Sequence, residues 1–351
     1  MRRIAILADG SFGPFSAKTA VGVLRYSPDT VVAVVDSAHA GQTADQVIGS
    51  GIGEGVPVVA DVATALTHQP DTLVIGIAPI GGKLPDAWRP GILNAIEHGL
   101  TIVSGLHFFL SEDPELAQAA QAHGATIWDV RRPPDALAQR IREGTPHRAG
   151  SHTVYFCGTD CNVGKMTASF ELWREAQRRN LSAGFAASGQ TGIMISGAGI
   201  PADRFISDFL SGAVEAMTLD FTERYDWVFV EGQGSLTHPA YSAVTLGLVH
   251  GSAPELLILC HQAGRTVVHG YEDTPLPSLA KTREIYESAA GWLKPAPVVA
   301  VALNTYMMPD DEAQAAIAAA QRETGLPTSD PVRYGAGALL DALLARSDLH
   351  A

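Results

Sequence analysis

Several short segments of this chain concentrate residues that can do chemistry. The run Gly158-Thr159-Asp160-Cys161-Asn162-Val163-Gly164-Lys165-Met166-Thr167 follows an apolar stretch, Val154 to Cys157, and leads into a helical pattern from Met166 to Arg178. Strand, glycine loop, lysine and helix in that order make an anion site. Backbone N–H groups and a helix N-terminus converge on a phosphate, and the lysine adds a point charge. The spacing differs from the common Walker loop, because five residues separate Gly158 from Gly164. Met166 also stands where the magnesium-binding hydroxyl usually follows the lysine, and Thr167 comes one position late. The loop therefore points to a bound phosphate and weakens the case for magnesium-dependent hydrolysis.

A second segment is Glu231-Gly232-Gln233-Gly234-Ser235, directly after the apolar run Trp227 to Val230. A carboxylate at the carboxyl end of a buried strand stands where open α/β sheets bind ligands, and the glycines allow close approach to the backbone. It could accept a proton or hold a metal through water. Gly189, Gln190, Thr191 and Gly192 read as a loop after the strand Ala183 to Ala187. His238, His261 and Arg265 follow strand ends on the same side, and arginine can grip a carboxylate through two parallel hydrogen bonds. After Pro201, Arg204, Asp208, Ser211 and Glu215 recur at helical spacing, which fits either a solvated face or a wall of the cleft. In the first half, Gly10, Gly13 and Asp36 form only part of a dinucleotide fingerprint, because the third glycine is missing and Pro14 interrupts.

The elements that must position these groups are strands and helices in alternation, the pattern of parallel sheets covered on both faces. Strands are predicted at Ile4 to Ala8, Val31 to Val35, Pro57 to Val59, Leu73 to Ile77, Thr101 to Ser104 and Ala125 to Asp129. Helices are predicted between them at Lys18 to Tyr26, Val62 to Thr67, Asp86 to His98 and Pro114 to His123. A second series has strands at Thr153 to Cys157, Ala183 to Ala187, Trp227 to Glu231, Leu256 to Cys260 and Val298 to Leu303, and a closing helix at Gly337 to Ala345. The predicted organisation is a Rossmann-like domain over residues 1–132, a linker over 133–150 and a P-loop domain over 151–351. Arg131, Arg132, Arg140, Arg142 and Arg148 read as a solvated basic cluster at the connector.

The 351 residues, 46% hydrophobic and 17% charged, suffice for two cored domains and exclude a disordered chain. A formal charge of −13 repels nucleic acid and anionic membranes. No apolar run approaches the ~20 residues of a membrane helix. Cys157, Cys161 and Cys260 form no paired framework, and the apolar run after Arg2 and Arg3 is too short for a signal peptide, so a cytoplasmic location is expected.

At GTDCNVGKMT with EGQGS, the second half resembles the dethiobiotin synthetase group of P-loop proteins. The whole chain is more similar to a family long known only as a domain of unknown function, with a Rossmann-like N-terminal half and a P-loop C-terminal half. Its characterised members are D-glutamate N-acetyltransferases, the DgcN family. The segments that carry the resemblance are AKTAVGVLRY (Ala17 to Tyr26), GTDCNVGKMTASFEL (Gly158 to Leu172), SGQTGIMISG (Ser188 to Gly197), DFLSGAVE (Asp208 to Glu215), EGQGSL (Glu231 to Leu236) and GLPTSDPVRYG (Gly325 to Gly335).

The resemblance implies transfer of an acetyl group from acetyl-CoA to the amino group of D-glutamate, with no metal. The phosphate loop would then anchor the phosphates of CoA. Glu231 is the first candidate for the base, with Asp208 and His238 behind it, and the N–H groups of Gly232 to Gly234 could face the oxyanion. Gln190, Thr191, Arg204, Gln233 and Arg265 are the candidate substrate contacts, and Asp330 to Arg333 would close over the adenine end. The competing readings are an ATP- or GTP-dependent ligase or kinase of the dethiobiotin synthetase type, and a nucleotide- or CoA-binding regulator without turnover. Packing of two α/β units of this size raises homo-oligomerisation as a further expectation.

Overall fold

The computed structural model describes residues 1–14, 16–49, 51–77, 79 and 82–347. The end of the predicted second domain, residues 348–351, lies outside them. The chain folds into two compact units, Met1–Arg132 with Gln190–Gly197, and Pro133–Gly189 with Ala198–Ala351.

In the first unit the strands are β1 (Arg3–Leu7), β2 (Thr30–Val35), β3 (Val58–Val59), β4 (Thr72–Ile75), β5 (Thr101–Ser104) and β6 (Ile127–Asp129). They form one parallel sheet in the order β3-β2-β1-β4-β5-β6, the strand order of the doubly wound dinucleotide fold. Its helices are α1 (Lys18–Tyr26), α2 (Ala44–Ile48), α3 (Val62–Leu66), α4 (Arg89–Glu97) and α5 (Pro114–His123). Asp36, at the end of β2, is fully buried and accepts the Gly10 N–H at 2.7 Å, so the acid of the partial fingerprint closes its own glycine loop.

The second unit contains β7 (His152–Gly158), α6 (Lys165–Arg178), β8 (Ala183–Ala186), α8 (Ser207–Arg224), β9 (Trp227–Val230), α9 (Ser242–Ser252), β10 (Leu256–Gln262), β11 (Val267–Val268), β12 (Tyr271–Pro275), α10 (Leu279–Gly291), β13 (Val298–Asn304), α11 (Asp310–Thr324), β14 (Thr328–Ser329) and α12 (Gly337–Ser347). Its sheet is again parallel and six-stranded, ordered β14-β13-β10-β7-β9-β8. Strand β7 is central, and everything from Thr153 to Gly158 is buried, which is why it reads as one apolar run rather than an alternating one. Its register pairs Gly158 with Cys260 of β10 and Tyr155 with Val230 of β9, so three strands deliver their carboxyl ends side by side.

Two expectations about this half are corrected. The residues expected as a loop after β8 instead form helix α7 (Gln190–Ser196), which packs on α1 as part of the first unit. The connector is not a solvated tether either. Glu215, 3% exposed, accepts the backbone N–H groups of Glu143, Gly144 and Thr145, while Arg142 donates to the His250 carbonyl and Arg148 to those of Thr222 and Tyr225. A buried carboxylate that accepts three N–H groups has its desolvation offset, and it straps the connector to α8. Among the described residues no helix is long and apolar enough to cross a membrane.

Candidate active site

The loop between β7 and α6 ends in a helix N-terminus beside a lysine, the form in which a chain can offer donors to an anion. Gly164, at φ +104°, and Asn162, at φ +59°, take left-handed conformations that turn the chain into the helix. Gly164 is the N-cap of α6 and places no side chain over the first turn. The first N–H groups of an α-helix have no partner within the helix, so this terminus presents donors and the positive end of the dipole. Lys165, buried, lies across the end of β7 with its Nζ 2.7 Å from the Asp160 carbonyl oxygen. A side chain at Gly158 would crowd it, since a Cβ there would stand 3.1 Å from that Nζ. Burial pushes the Lys165 ammonium below its usual pKa, against the opposing attraction of Cys161 and Asp160.

Asp160 is the brace of the loop. Its Oδ1 accepts the Cys161 N–H at 2.6 Å, and its Oδ2 accepts the His269 N–H at 2.7 Å and the Arg265 guanidinium at 3.0 Å. His269 comes from the two-residue turn His269-Gly270 that joins β11 to β12, in which Val268 pairs with Tyr271. Arg265 also donates to the Cys161 carbonyl at 2.6 Å and to Gln262 Oε1. Arg265, expected to grip a substrate carboxylate, spends these three hydrogen bonds on the loop and its flank.

Glu231 sits at the end of β9, 6% exposed, with its Oε2 accepting the Ser188 and Gly189 N–H groups at 3.0 and 3.2 Å. Burial pushes its pKa up to about 7, although those two donors and the Lys165 charge oppose the shift. A carboxyl poised near neutrality can take a proton and release it. Gly232 is dictated by space, because a Cβ there would lie 1.9 Å from the Phe156 carbonyl oxygen. Gln233 ties the two loops together by donating to the Ser188 carbonyl and, at 3.3 Å, to Ser188 Oγ. Ser235 Oγ bonds the Thr159 carbonyl at 3.1 Å, and the buried Tyr286 hydroxyl bridges Leu236 N and Gly158 O at 3.1 and 2.9 Å. The loops after β7, β8 and β9 thus form one hydrogen-bonded assembly.

His238, expected as a reserve base, is 2% exposed. Its Nδ1 accepts the Ala240 N–H at 3.1 Å, so the ring proton resides on Nε2, which faces Asp160 Oδ1 at 3.9 Å. It is a donor here. His261 shares a 2.8 Å hydrogen bond with Thr159 Oγ1, and burial lowers its pKa to about 4, with the nearby Arg265 charge adding to the shift; it is neutral at ordinary pH. Asp208, at the exposed first turn of α8, lacks the burial of Glu231. Arg204 is exposed in the separate turn Ala202–Arg204, so the expected polar stripe is broken before α8 begins. Thr191 is buried in the first unit with its hydroxyl 2.9 Å from that of Thr19, and Gln190 opens the same helix, α7.

At the end of β13, Asp330 Oδ2 accepts the N–H and hydroxyl of Thr305, and its Oδ1 accepts the N–H groups of Val332 and Arg333. Beside this pinned corner in the chain, Tyr306, Met307, Val332 and Tyr334 are exposed.

A family model for the P-loop domain of DUF1611, a domain of unknown function, matches residues 140–340, and its Rossmann-like N-terminal companion matches residues 37–133. The chain belongs to the DUF1611 family. A DUF1611 family protein from Anabaena variabilis, known from a crystal structure, is 40% identical with a TM-score of 0.91, over 98% of this chain and 100% of that one. A D-glutamate N-acetyltransferase from Tritonibacter scottomollicae is 38% identical over 94% of this chain and 95% of its own. A second protein of that name, from a Pseudoalteromonas species, is 38% identical over 77% and 80%. The Rossmann-like and P-loop halves expected for this DUF1611 chain are both present, each with its parallel sheet.

Proposed function

We propose that the protein transfers the acetyl group of acetyl-CoA to the amino group of D-glutamate, giving N-acetyl-D-glutamate and CoA. The observation that carries this reading is the pairing of a phosphate-type loop with a buried carboxyl held near neutrality, in a chain 38% identical over 94% of its length to a D-glutamate N-acetyltransferase. Acyl transfer to an amine needs an anchored thioester donor, a proton acceptor and donors for the oxyanion, and no nucleotide is hydrolysed. The N-terminus of α6 and Lys165 take the phosphates of CoA, and the exposed Tyr306 and Val332 take the adenine. The neutral amine attacks an acetyl thioester, the C–N bond forms, the C–S bond breaks, the sulfur leaves as its thiolate, and Glu231 takes the amine proton.

Met166 fits this assignment, because nothing in it calls for the magnesium-binding hydroxyl. Cys157, Cys161 and Cys260 form no disulfide with one another, which suits the reducing cytoplasm. The test is thiol release from acetyl-CoA in the presence of D- and L-amino acids, with phosphate release from ATP measured beside it. Free CoA dependent on D-glutamate is the expected result. Phosphate release without CoA release would overturn the assignment in favour of a nucleotide-dependent ligase or kinase.

A further inference from the structure

Cys161 Sγ, an imidazole nitrogen of His238 and a carboxylate oxygen of Asp160 lie within 4.8 Å of one another at the anion loop. Such a trio can hold a metal or activate a thiol, and the hydrogen bonds decide between them. His238 Nδ1 is occupied by the Ala240 N–H, so Nε2 carries the proton and has no lone pair to give a cation. Both Asp160 oxygens are likewise committed, to the Cys161 and His269 N–H groups and to Arg265. What remains for the trio is to stabilise negative charge on sulfur and on an oxyanion.

The other two thiols, Cys157 and Cys260, are fully buried in core strands, and burial pushes both up, Cys260 to about 12. Cys161 alone is partly exposed. Its backbone is gripped on both sides, the N–H by Asp160 and the carbonyl by Arg265, so the thiol has a fixed place in the loop. Lys165 and the helix N-terminus at Gly164 belong to the same loop, four and three residues on. A cysteine beside a lysine and a helix N-terminus is the setting in which thiolates form. The Asp160 charge that would oppose this is neutralised by Arg265 at 3.0 Å.

We propose that Cys161 is a nucleophile that carries the acetyl group between CoA and the amine. In the first step Cys161 Sγ attacks the acetyl-CoA carbonyl, the new C–S bond forms, the bond to the CoA sulfur breaks, and the thiol proton leaves with CoA. His238 Nε2–H donates to the oxyanion. One thioester replaces another, so no other reactant is needed. In the second step the amine attacks the Cys161 thioester, the C–N bond forms, the C–S bond to Cys161 breaks, Glu231 takes the amine proton and gives it up to solvent, and the departing Cys161 thiolate takes a proton from solvent to regenerate the thiol. This deepens the acetyltransferase reading and rests on it.

The test uses the full chain with acetyl-CoA and no amino acid. The expected results are an acetyl adduct on the Cys161 peptide that hydroxylamine removes, exchange of labelled CoA into acetyl-CoA, and parallel double-reciprocal plots in the full reaction. Cys161→Ala should lose exchange and transfer to background while still binding acetyl-CoA. Cys161→Ser, which keeps the shape, should also lose exchange, guarding against a folding defect in the alanine variant. Undiminished transfer by Cys161→Ala, or transfer by the native protein with no adduct and no exchange, would overturn the proposal and leave the acetyltransferase reading standing. No transfer to D-glutamate by the native protein would overturn both.

Discussion

Replacing Glu231 by glutamine tests the chemistry and the physics of the site together. The native carboxyl is carried from 4.5 to about 7 by burial. At about 1.4 kcal/mol per tenfold change in proton affinity, that corresponds to roughly 3 kcal/mol between the two protonation states. The folded protein binds this proton more tightly than the unfolded chain does. Stability is therefore fullest below about 4.5, falls as pH rises from there to about 7, and is level above. Glutamine is neutral throughout, and its carbonyl oxygen can still accept the Ser188 and Gly189 N–H groups. The variant should match the native protein near pH 4.5 and exceed it by up to about 3 kcal/mol above pH 7, as read by denaturant unfolding at both ends. Activity should move the other way. The kcat/KM profile of the native enzyme should rise through a limb near 7, and the variant should lose that limb together with about 10²- to 10⁴-fold in rate. A variant that keeps both rate and limb would refute Glu231 as the base. A stability difference that does not change with pH would refute the displaced carboxyl.

Four further outcomes follow from particular contacts. Lys165→Ala should weaken acetyl-CoA binding, measured by calorimetry, by about tenfold or more, since it removes a charge-assisted contact to phosphate; unchanged affinity would take the loop out of the site. Arg265→Ala strands the buried Asp160 carboxylate and should cost about 3–5 kcal/mol in unfolding experiments, with a loss of activity carried by the loop. Gly232→Ala drives a Cβ to 1.9 Å from the Phe156 carbonyl and should lower the melting temperature sharply, at a cost on the order of 3 kcal/mol. Burial pushes Glu255 up, but hydrogen bonds and charges from His147 and Lys294 outweigh it and hold the carboxyl at about 2. That stability is present above about 4.5 and lost as pH falls towards 2, so Glu255→Gln should flatten the acid limb of the native stability curve.

The loop chemistry and the sheet architecture were legible because they are local. An apolar run, glycines at fixed spacing, a lysine and a helical pattern identify the anion loop without knowledge of distant contacts, and the alternation of runs identifies parallel sheets. Several element bounds agree to the residue, among them α1 at Lys18–Tyr26, β5 at Thr101–Ser104 and α5 at Pro114–His123. The hairpin β11–β12 left a readable trace, a Val-Val pair followed by His269-Gly270, but nothing nearby shows that its turn reaches Asp160.

The amino-acid sequence by itself determined the two α/β units, the phosphate-type loop and the presence of an acid at the end of β9. Tertiary structure decided what each charged group does. Arg265 and Glu231 are both ionisable residues at strand ends, yet one is consumed in bracing Asp160 and the other is buried with its pKa raised to about 7. Gln190 and Thr191 follow a strand end as the other candidates do, yet their segment folds into a helix of the other unit. The physical reason is the same throughout. Burial and hydrogen-bond partners set the protonation state and availability of a polar group, and those partners come from residues tens of positions away, where spacing in the chain carries no record of them.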